Sequence, residues 1–427
     1  MLSVKEQLRK NLNFNIFVSM ADAGFFGIGW GFGSFGTIIP LFFAKMTTSA
    51  ILIGMIPAIH AVGWQIPQLF TAGWVSRMRK YKPAVLWMTI HERVPYLGLA
   101  LTAWLLPTFG VKVALPVALI MLIWQGIGSG LSANPWQSMI AKIIPNEAHG
   151  TFFGAQSAVA NVMISFAAIG AGYLLDILHS PWDFVVCFVV TFIAMSFSYF
   201  CLALTREPVD TDKVMPPEDH DFWKSAVGIL RRDVNFRWFL VFRVLYQFAT
   251  MGFAFYIVYG LRAFNMDALT AGYLTAALTI SQTVANLGMG WLADRFGHLS
   301  MLIAGAFAVA LSSFAAFAAP SLGWLYLVFV LSGLANVSYW TIGMAMTVRF
   351  GSETERPVYI GLANTLIAPA TILAPILGGW IADMAGYQTT FMLSALGGLL
   401  TALVLIFLVK NPEVQQTPII TLYKEIE

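Results

Sequence analysis

The chain is 427 residues long, 58% hydrophobic and 14% aromatic, with only 11% charged residues. Soluble domains carry about 25% charged residues, so ordinary soluble folds, disorder and nucleic-acid binding are excluded. A net charge of +3 carries no meaning as a total, and lipid is the solvent that suits so apolar a surface. Cys187 and Cys201 lie 14 residues apart in one apolar segment. At about 1.5 Å per helical residue they are beyond disulfide reach and say nothing about redox compartment.

Lys5, Arg9 and Lys10 precede a first apolar stretch longer than a signal-peptide core, so no cleaved leader is expected. Apolar windows of about 20 residues, each enough to cross about 30 Å of hydrocarbon, then recur along the chain. They fall at roughly 13–41, 50–72, 83–106, 114–140, 152–175, 184–204, 236–259, 268–292, 299–319, 323–347, 358–383 and 388–409. The expected fold is therefore an all-α integral membrane protein of twelve transmembrane helices. With both termini cytoplasmic, only Lys45, Lys112 and Arg262 lie outside and only Arg93 and Arg243 fall within spans. The other nineteen of 24 Lys and Arg residues then lie inside, as the positive-inside bias requires.

A charge at mid-membrane costs roughly 2.5–3.5 kcal/mol on insertion scales, so each is a functional hypothesis. In span one, Asp22 sits about 14 Å in and shares a helical stripe with Ser19, Gly29, Gly33 and Gly36. That stripe suits a cavity wall or a packing seam. Phe26 belongs to an aromatic wall beside it. In span two, His60 is a candidate proton carrier or a satisfied interface histidine, and Gln65 reads as interhelical hydrogen-bond glue. Span three holds His91, Glu92 and Arg93 in a row. Adjacent residues point about 100° apart, so Glu92 and Arg93 are expected to seek partners on other helices. Asp22 with Arg93 is the preferred pairing, either as a pin between spans one and three or as part of a coupling device.

Polar stripes return in span four (Gln125, Ser129, Ser132, Trp136), span seven (Arg243, Gln247, Thr250) and span ten (Ser332, Asn336, Trp340, Gly343). Such stripes are expected to face a solvated cavity. Spans six, nine and twelve hold no charge away from their ends and are expected to face lipid. Residues 206–235 form the longest polar stretch, ending in an amphipathic pattern (Phe222, Ala226, Ile229, Leu230) expected at the inner membrane surface. This divides the chain into a six-helix bundle at 1–205, a cytoplasmic linker at 206–235, and a second bundle with a short tail at 236–427.

The halves echo each other. A shift of 217 superposes Gly73-Trp74 on Gly290-Trp291 and Gln65 on Gln282. A shift of 207 superposes Gly154, Gly172 and Asp176 on Gly361, Gly379 and Asp383. Internal repeats of this kind mark secondary transporters. The run Gly290-Trp291-Leu292-Ala293-Asp294-Arg295-Phe296-Gly297-His298, after span eight, resembles the loop motif of the major facilitator superfamily (MFS). The copy after span two keeps Gly73 and a basic cluster but has Arg77 where that family's aspartate belongs.

The resemblance implies an MFS-type fold of two pseudo-symmetric bundles, a central cavity lined by spans one, four, seven and ten, and an inner gating loop at Gly73, Arg77, Gly290, Asp294, Arg295 and Gly297. The expected function is alternating-access transport of a small solute in the cell membrane by a monomer. Proton coupling is assigned to Asp22, Glu92, Arg93 and His60. Substrate contact is assigned to Arg243, Gln247, Gln125, Asn336, Trp136, Trp340 and Phe26, which suits an anionic or amphipathic solute. An uncoupled facilitator and a non-transporting receptor or assembly factor are the alternatives. No catalytic constellation, cofactor motif, metal-ligand spacing or nucleotide loop occurs: His91-Glu92 has Pro95 where a zinc protease needs its second histidine. Span five lacks the family's antiporter proline, so the direction of transport stays open.

Overall fold

The computed structural model describes residues 4–145, 149–209, 222–347, 349–351 and 356–412. Among them there is no strand. The helices are α1 (Val4–Phe32), α2 (Ile38–Ala44), α3 (Ala50–Ser76), α4 (Lys82–Phe109), α5 (Val111–Ile143), α6 (His149–Ile177), α7 (Trp182–Leu204), α8 (Phe222–Arg232), α9 (Val234–Ala249), α10 (Tyr256–Phe264), α11 (Ala268–Phe296), α12 (His298–Phe317), α13 (Trp324–Val337), α14 (Gly343–Thr347), α15 (Arg356–Thr365), α16 (Ala368–Ala385) and α17 (Tyr387–Phe407).

Nine described helical segments are long and apolar enough to cross a membrane. The expected spans one, three and eight, carried by α1, α4 and α11, fall outside that set although they run 29, 28 and 29 residues. Each dilutes its apolar windows with charged or polar side chains, Asp22 on α1 and Glu92 and Arg93 on α4 among them. Rings and aliphatic chains left exposed, such as Phe200 at 61% and Phe407 at 75%, mark surfaces suited to lipid rather than water.

Four expected spans are interrupted, each with a local cause. Span one stops at Phe32 and resumes at Ile38. Gly33 and Gly36 loosen the chain, and Pro40 sits in the first turn of α2, where a missing N–H costs nothing. Span seven passes through a 3-10 turn at Met251–Phe255, where the Gly252 N–H leaves the helical ladder and donates to Ser394 Oγ at 3.0 Å. Span ten contains a π turn at Ser338–Ile342. Span eleven breaks between Thr365 and Ala368, just before Pro369, which has no N–H to donate to the Thr365 carbonyl.

Contacts gather residues 1–218 and 254–283 into one unit, and 219–253 and 284–427 into another. In the first unit α1 packs on α6 and α7, α4 on α5 and α7, and α3 on α5. In the second, α12 packs on α13 and α17, and α9 on α16 and α17. Helix α8 packs on α9 and α15, and its Ala226 and Ile229 are buried in that unit's core. The apolar face expected at the membrane surface is thus taken up by protein.

Candidate functional site

The first unit holds a charged cluster built by three helices. Arg93 on α4 is 4% exposed. Its Nε donates to the Met195 carbonyl at 2.8 Å, and its Nη2 donates to Ser198 Oγ at 2.8 Å, both on α7. Nη1 donates to the Thr89 carbonyl at 3.1 Å and to the Thr89 hydroxyl. Ser198 passes its own proton on to Asp22 Oδ1 of α1 at 2.6 Å. The expected direct pair of Asp22 with Arg93 is therefore replaced by a relay, Arg93 to Ser198 to Asp22. The reason is topological: α7 packs against both α1 and α4. Gly29 and Gly33 press on Met195 and Thr191 of α7, so the stripe that carries Asp22 is a close seam with that helix.

Glu92 is also buried, and Arg93 Nη1 lies 3.5 Å from its Oε2. Both neighbours have the partners on other helices that were expected, and they also approach each other. The arginine chain folds back toward Thr89, one turn earlier, which brings its tip within reach of the Glu92 carboxylate. Ser132 of α5 donates to Glu92 at 3.5 Å. The two helices meet this closely because Gly128 lies against the His91–Glu92 backbone, where a Cβ would sit 2.3 Å from the His91 carbonyl carbon.

His60 belongs to a separate group. Its Nδ1 is 3.1 Å from Gln125 Oε1, and its ring lies against Phe35 (centroids 4.3 Å) and Trp30 (5.0 Å). Gln125 Nε2 and Trp30 Nε1 have no hydrogen-bond partner among the described residues. The stripe of span four is thus divided: Gln125 turns to α3 and Ser132 to α4. Trp136, half-buried, packs on Phe153, and Phe26 packs on Trp30.

In the second unit Arg243 of α9 is 1% exposed. Its Nη1 and Nη2 reach Thr347 Oγ1 and Tyr339 Oη, each at 3.5 Å, and its guanidinium lies 4.9 Å from the Tyr339 ring centre. Its Nε has no partner among the described residues. Gln247 Nε2 donates to Tyr339 Oη at 2.7 Å. Tyr339 stacks on Tyr246 with centroids 4.3 Å apart. Of the residues expected from span ten, Trp340 is 39% exposed and packs edge-on against Tyr339 with ring centroids 5.3 Å apart, and Asn336 is half-buried. Counted from Ser332 at about 3.6 residues per turn, seven residues complete two turns, so Tyr339 rather than Trp340 shares the Ser332 face; the π turn at Ser338–Ile342 begins only there.

The Major Facilitator Superfamily model matches residues 83–263 and 259–421, well over half of the chain. The chain belongs to the major facilitator superfamily. It is a multi-pass membrane protein of a transporter family rather than an enzyme. The vesicular acetylcholine transporter of Drosophila melanogaster is 33% identical over 149 residues, 34% of this chain and 25% of that protein. The gentisate transporter of Corynebacterium glutamicum is 24% identical over 323 residues, 71% of this chain and 68% of that protein. The first three curated relatives are spanned over only 25%, 38% and 35% of their length. A crystal structure of a D-xylose–proton symporter is similar in fold, with a TM-score of 0.71 over 94% of this chain and 99% of that one at 18% identity.

In this member of the superfamily the loop-motif residues lie at helix ends. Gly73 and Arg77 end α3, and Gly290 and Arg295 lie in the last turns of α11, with Arg295 5.7 Å from the rings of Trp291 and Phe296. The side chain of Asp294 lies outside those described. Gly297 takes a φ of +88°, a conformation that favours glycine, and turns the chain directly into α12.

Sequence reasoning missed Ser198, Thr89, Tyr339 and Thr347. Ser198 had a readable signal: Thr191 and Ser198 are seven residues apart, hence on one face of span six, and both are fully buried. The expectation that span six faces lipid all round is corrected on that face.

Proposed function

We propose that this protein is a secondary transporter that moves a small organic solute, anionic or amphipathic, by alternating access, driven by protons through Asp22. In this reading twelve membrane-crossing helices form bundles at 1–205 and 236–427, joined by the cytoplasmic segment 206–235. The protein acts as a monomer in the cell membrane with both termini inside.

One observation carries the proton reading. Asp22 is 6% exposed and holds Arg93 only through a single serine hydroxyl. Ionised, it anchors the Ser198 proton and the positive field behind it. Protonated, it needs neither, and α1 is released from that contact with α7. A carboxylate whose neutralisation loosens one helix seam gives protons a differential affinity for two states, which is what coupling requires. The buried Arg243, with Gln247 and Tyr339, supports an anionic solute. The gentisate transporter among its relatives carries, by its name, an organic anion.

The test is transport in proteoliposomes, using a solute first found to stabilise the purified protein in a thermal-shift panel. Asp22→Asn is expected to lose accumulation driven by a pH gradient while keeping solute exchange at equal pH. Accumulation by Asp22→Asn at the wild-type rate would remove Asp22 from the coupling path.

A further inference from the structure

The described groups that accept from Arg243 are hydroxyls, with no carboxylate among them. It reaches Tyr339 of the π turn and Thr347 of α14, while Gln247 and Tyr246 of its own helix engage Tyr339. Tyr246 gives its proton to the Ala335 carbonyl at 2.7 Å, and Thr347 gives its proton to the Gly343 carbonyl at 2.7 Å. Tyr339 Oη already accepts from Gln247, so its proton is free to donate. The carboxylates among the described side chains of this unit are Asp233 and Asp383. Asp233 lies ten residues, about 15 Å, down the helix. It is engaged by the Phe236 N–H at 2.8 Å and the Tyr359 hydroxyl at 3.0 Å. Asp383 lies near the far end of α16. A guanidinium buried without a counter-charge is expensive to keep, and its fork matches a carboxylate in two parallel hydrogen bonds.

Buried Asp183 and Glu207 are paired with Lys45 and Lys142, which leaves Asp22, Glu92 and Arg93 as the other buried charges among the described residues. Facing Asp22 are Ser198 and Cys201 from α7, and Arg93 and Glu92 from α4. One proton makes that cluster neutral, and one monovalent anion makes Arg243 neutral.

We infer that Arg243 seats the carboxylate of a monovalent organic anion, and that the anion crosses together with one proton, so that the loaded carrier buries no net charge. The inference rests on the proton reading of Asp22. The probes are benzoate, lactate and hexanoate, each compared with its amide, on the purified full chain. At least one acid is expected to raise the unfolding temperature while its amide does not. Arg243→Gln is expected to weaken that acid at least about tenfold, the usual scale for a charge-assisted pair. Without ligand the variant should unfold at the wild-type temperature or higher, since an unpaired buried charge is gone. A merely structural arginine would lower it.

In proteoliposomes the same labelled acid is expected to accumulate with an inward pH gradient and to ignore a potassium–valinomycin potential. One uncompensated charge would let about 100 mV change accumulation about fifty-fold. Potential-driven accumulation, no acid preferred over its amide, or wild-type affinity in Arg243→Gln each overturns the inference. Failure of the proton reading shows separately, as gradient-driven accumulation that survives Asp22→Asn while acid binding still needs Arg243.

Discussion

The two buried arginines are held in opposite ways. Arg93 spends every nitrogen on the protein: two carbonyls, two hydroxyls and a carboxylate 3.5 Å away. Arg243 keeps one nitrogen idle and two at long range. Arg93 therefore reads as a fixed part of its unit. Arg93→Gln leaves Glu92 and Asp22 without the positive charge that balances them, so a loss of about 3–5 kcal/mol is expected, the range for removing one partner of a buried ion pair. Denaturant unfolding of the purified variant measures it. A loss under about 1 kcal/mol would mean that water replaces the guanidinium. Asp22 and Arg243 could be picked from the chain alone because a charge in an apolar run is conspicuous. Ser198 could not be ranked above other serines, since its role comes entirely from the two charges on other helices that it joins.

Among the elements, α11 shows how a helix start is secured. Its first N–H groups lack helical acceptors. Asp267 accepts from Thr270 N at 2.8 Å, and Asp176 of α6 accepts from Ala268 N and Leu269 N at 3.0 and 2.9 Å. Gly172 and Gly272 permit the approach: a Cβ on either would sit 2.4 Å from a carbonyl oxygen of the other helix. The Thr270 side chain and N–H hold the Asp267 carboxyl below its ordinary range. A depressed carboxylate stabilises the fold above its unfolded value, about pH 3.9, and the benefit is lost as pH falls through the lower folded value. Asp267→Ala is expected to cost about 1 kcal/mol at neutral pH, and the difference from wild type should vanish in acid. A difference that persists there would show that the cap does not depend on the charge. The Asp-x-x-Thr pattern was readable as a helix start. The contribution of Asp176, 92 residues earlier, was not, because it depends on how α6 approaches α11.

At the scale of a whole unit, the stretch after α7 behaves as a clasp, although by composition it opens a linker. Glu207, 7% exposed, accepts from Tyr81 N and Lys82 N at the start of α4 and pairs with Lys142 of α5 at 2.9 Å. Arg206 exchanges two backbone hydrogen bonds with the Asn15 amide of α1 and lies 4.0 Å from the Phe14 ring centre. One turn of chain thus ties the ends of α4, α5 and α7 to the side of α1. Glu207→Ala is expected to cost about 3 kcal/mol, the lower end for a broken buried pair because Lys142 keeps the Arg79 and Pro208 carbonyls. Protease sensitivity of the segment after residue 209 would report the loosening, and an unchanged cleavage rate would argue against a clasp.

The sequence by itself determined that the chain lives in lipid, where its helices run, and which ionisable groups are costly enough to demand a purpose. Those are one-dimensional facts: hydropathy is summed along a helix, and charge placement follows the loops. Only the tertiary structure decided which partner each group has. A hydrogen bond is made across a helix seam, and the seam is set by which helices pack together and how closely their glycines let them approach. Such seams bring Tyr339 to Arg243, and they place a serine of α7 between an aspartate and an arginine that depth alone had matched directly.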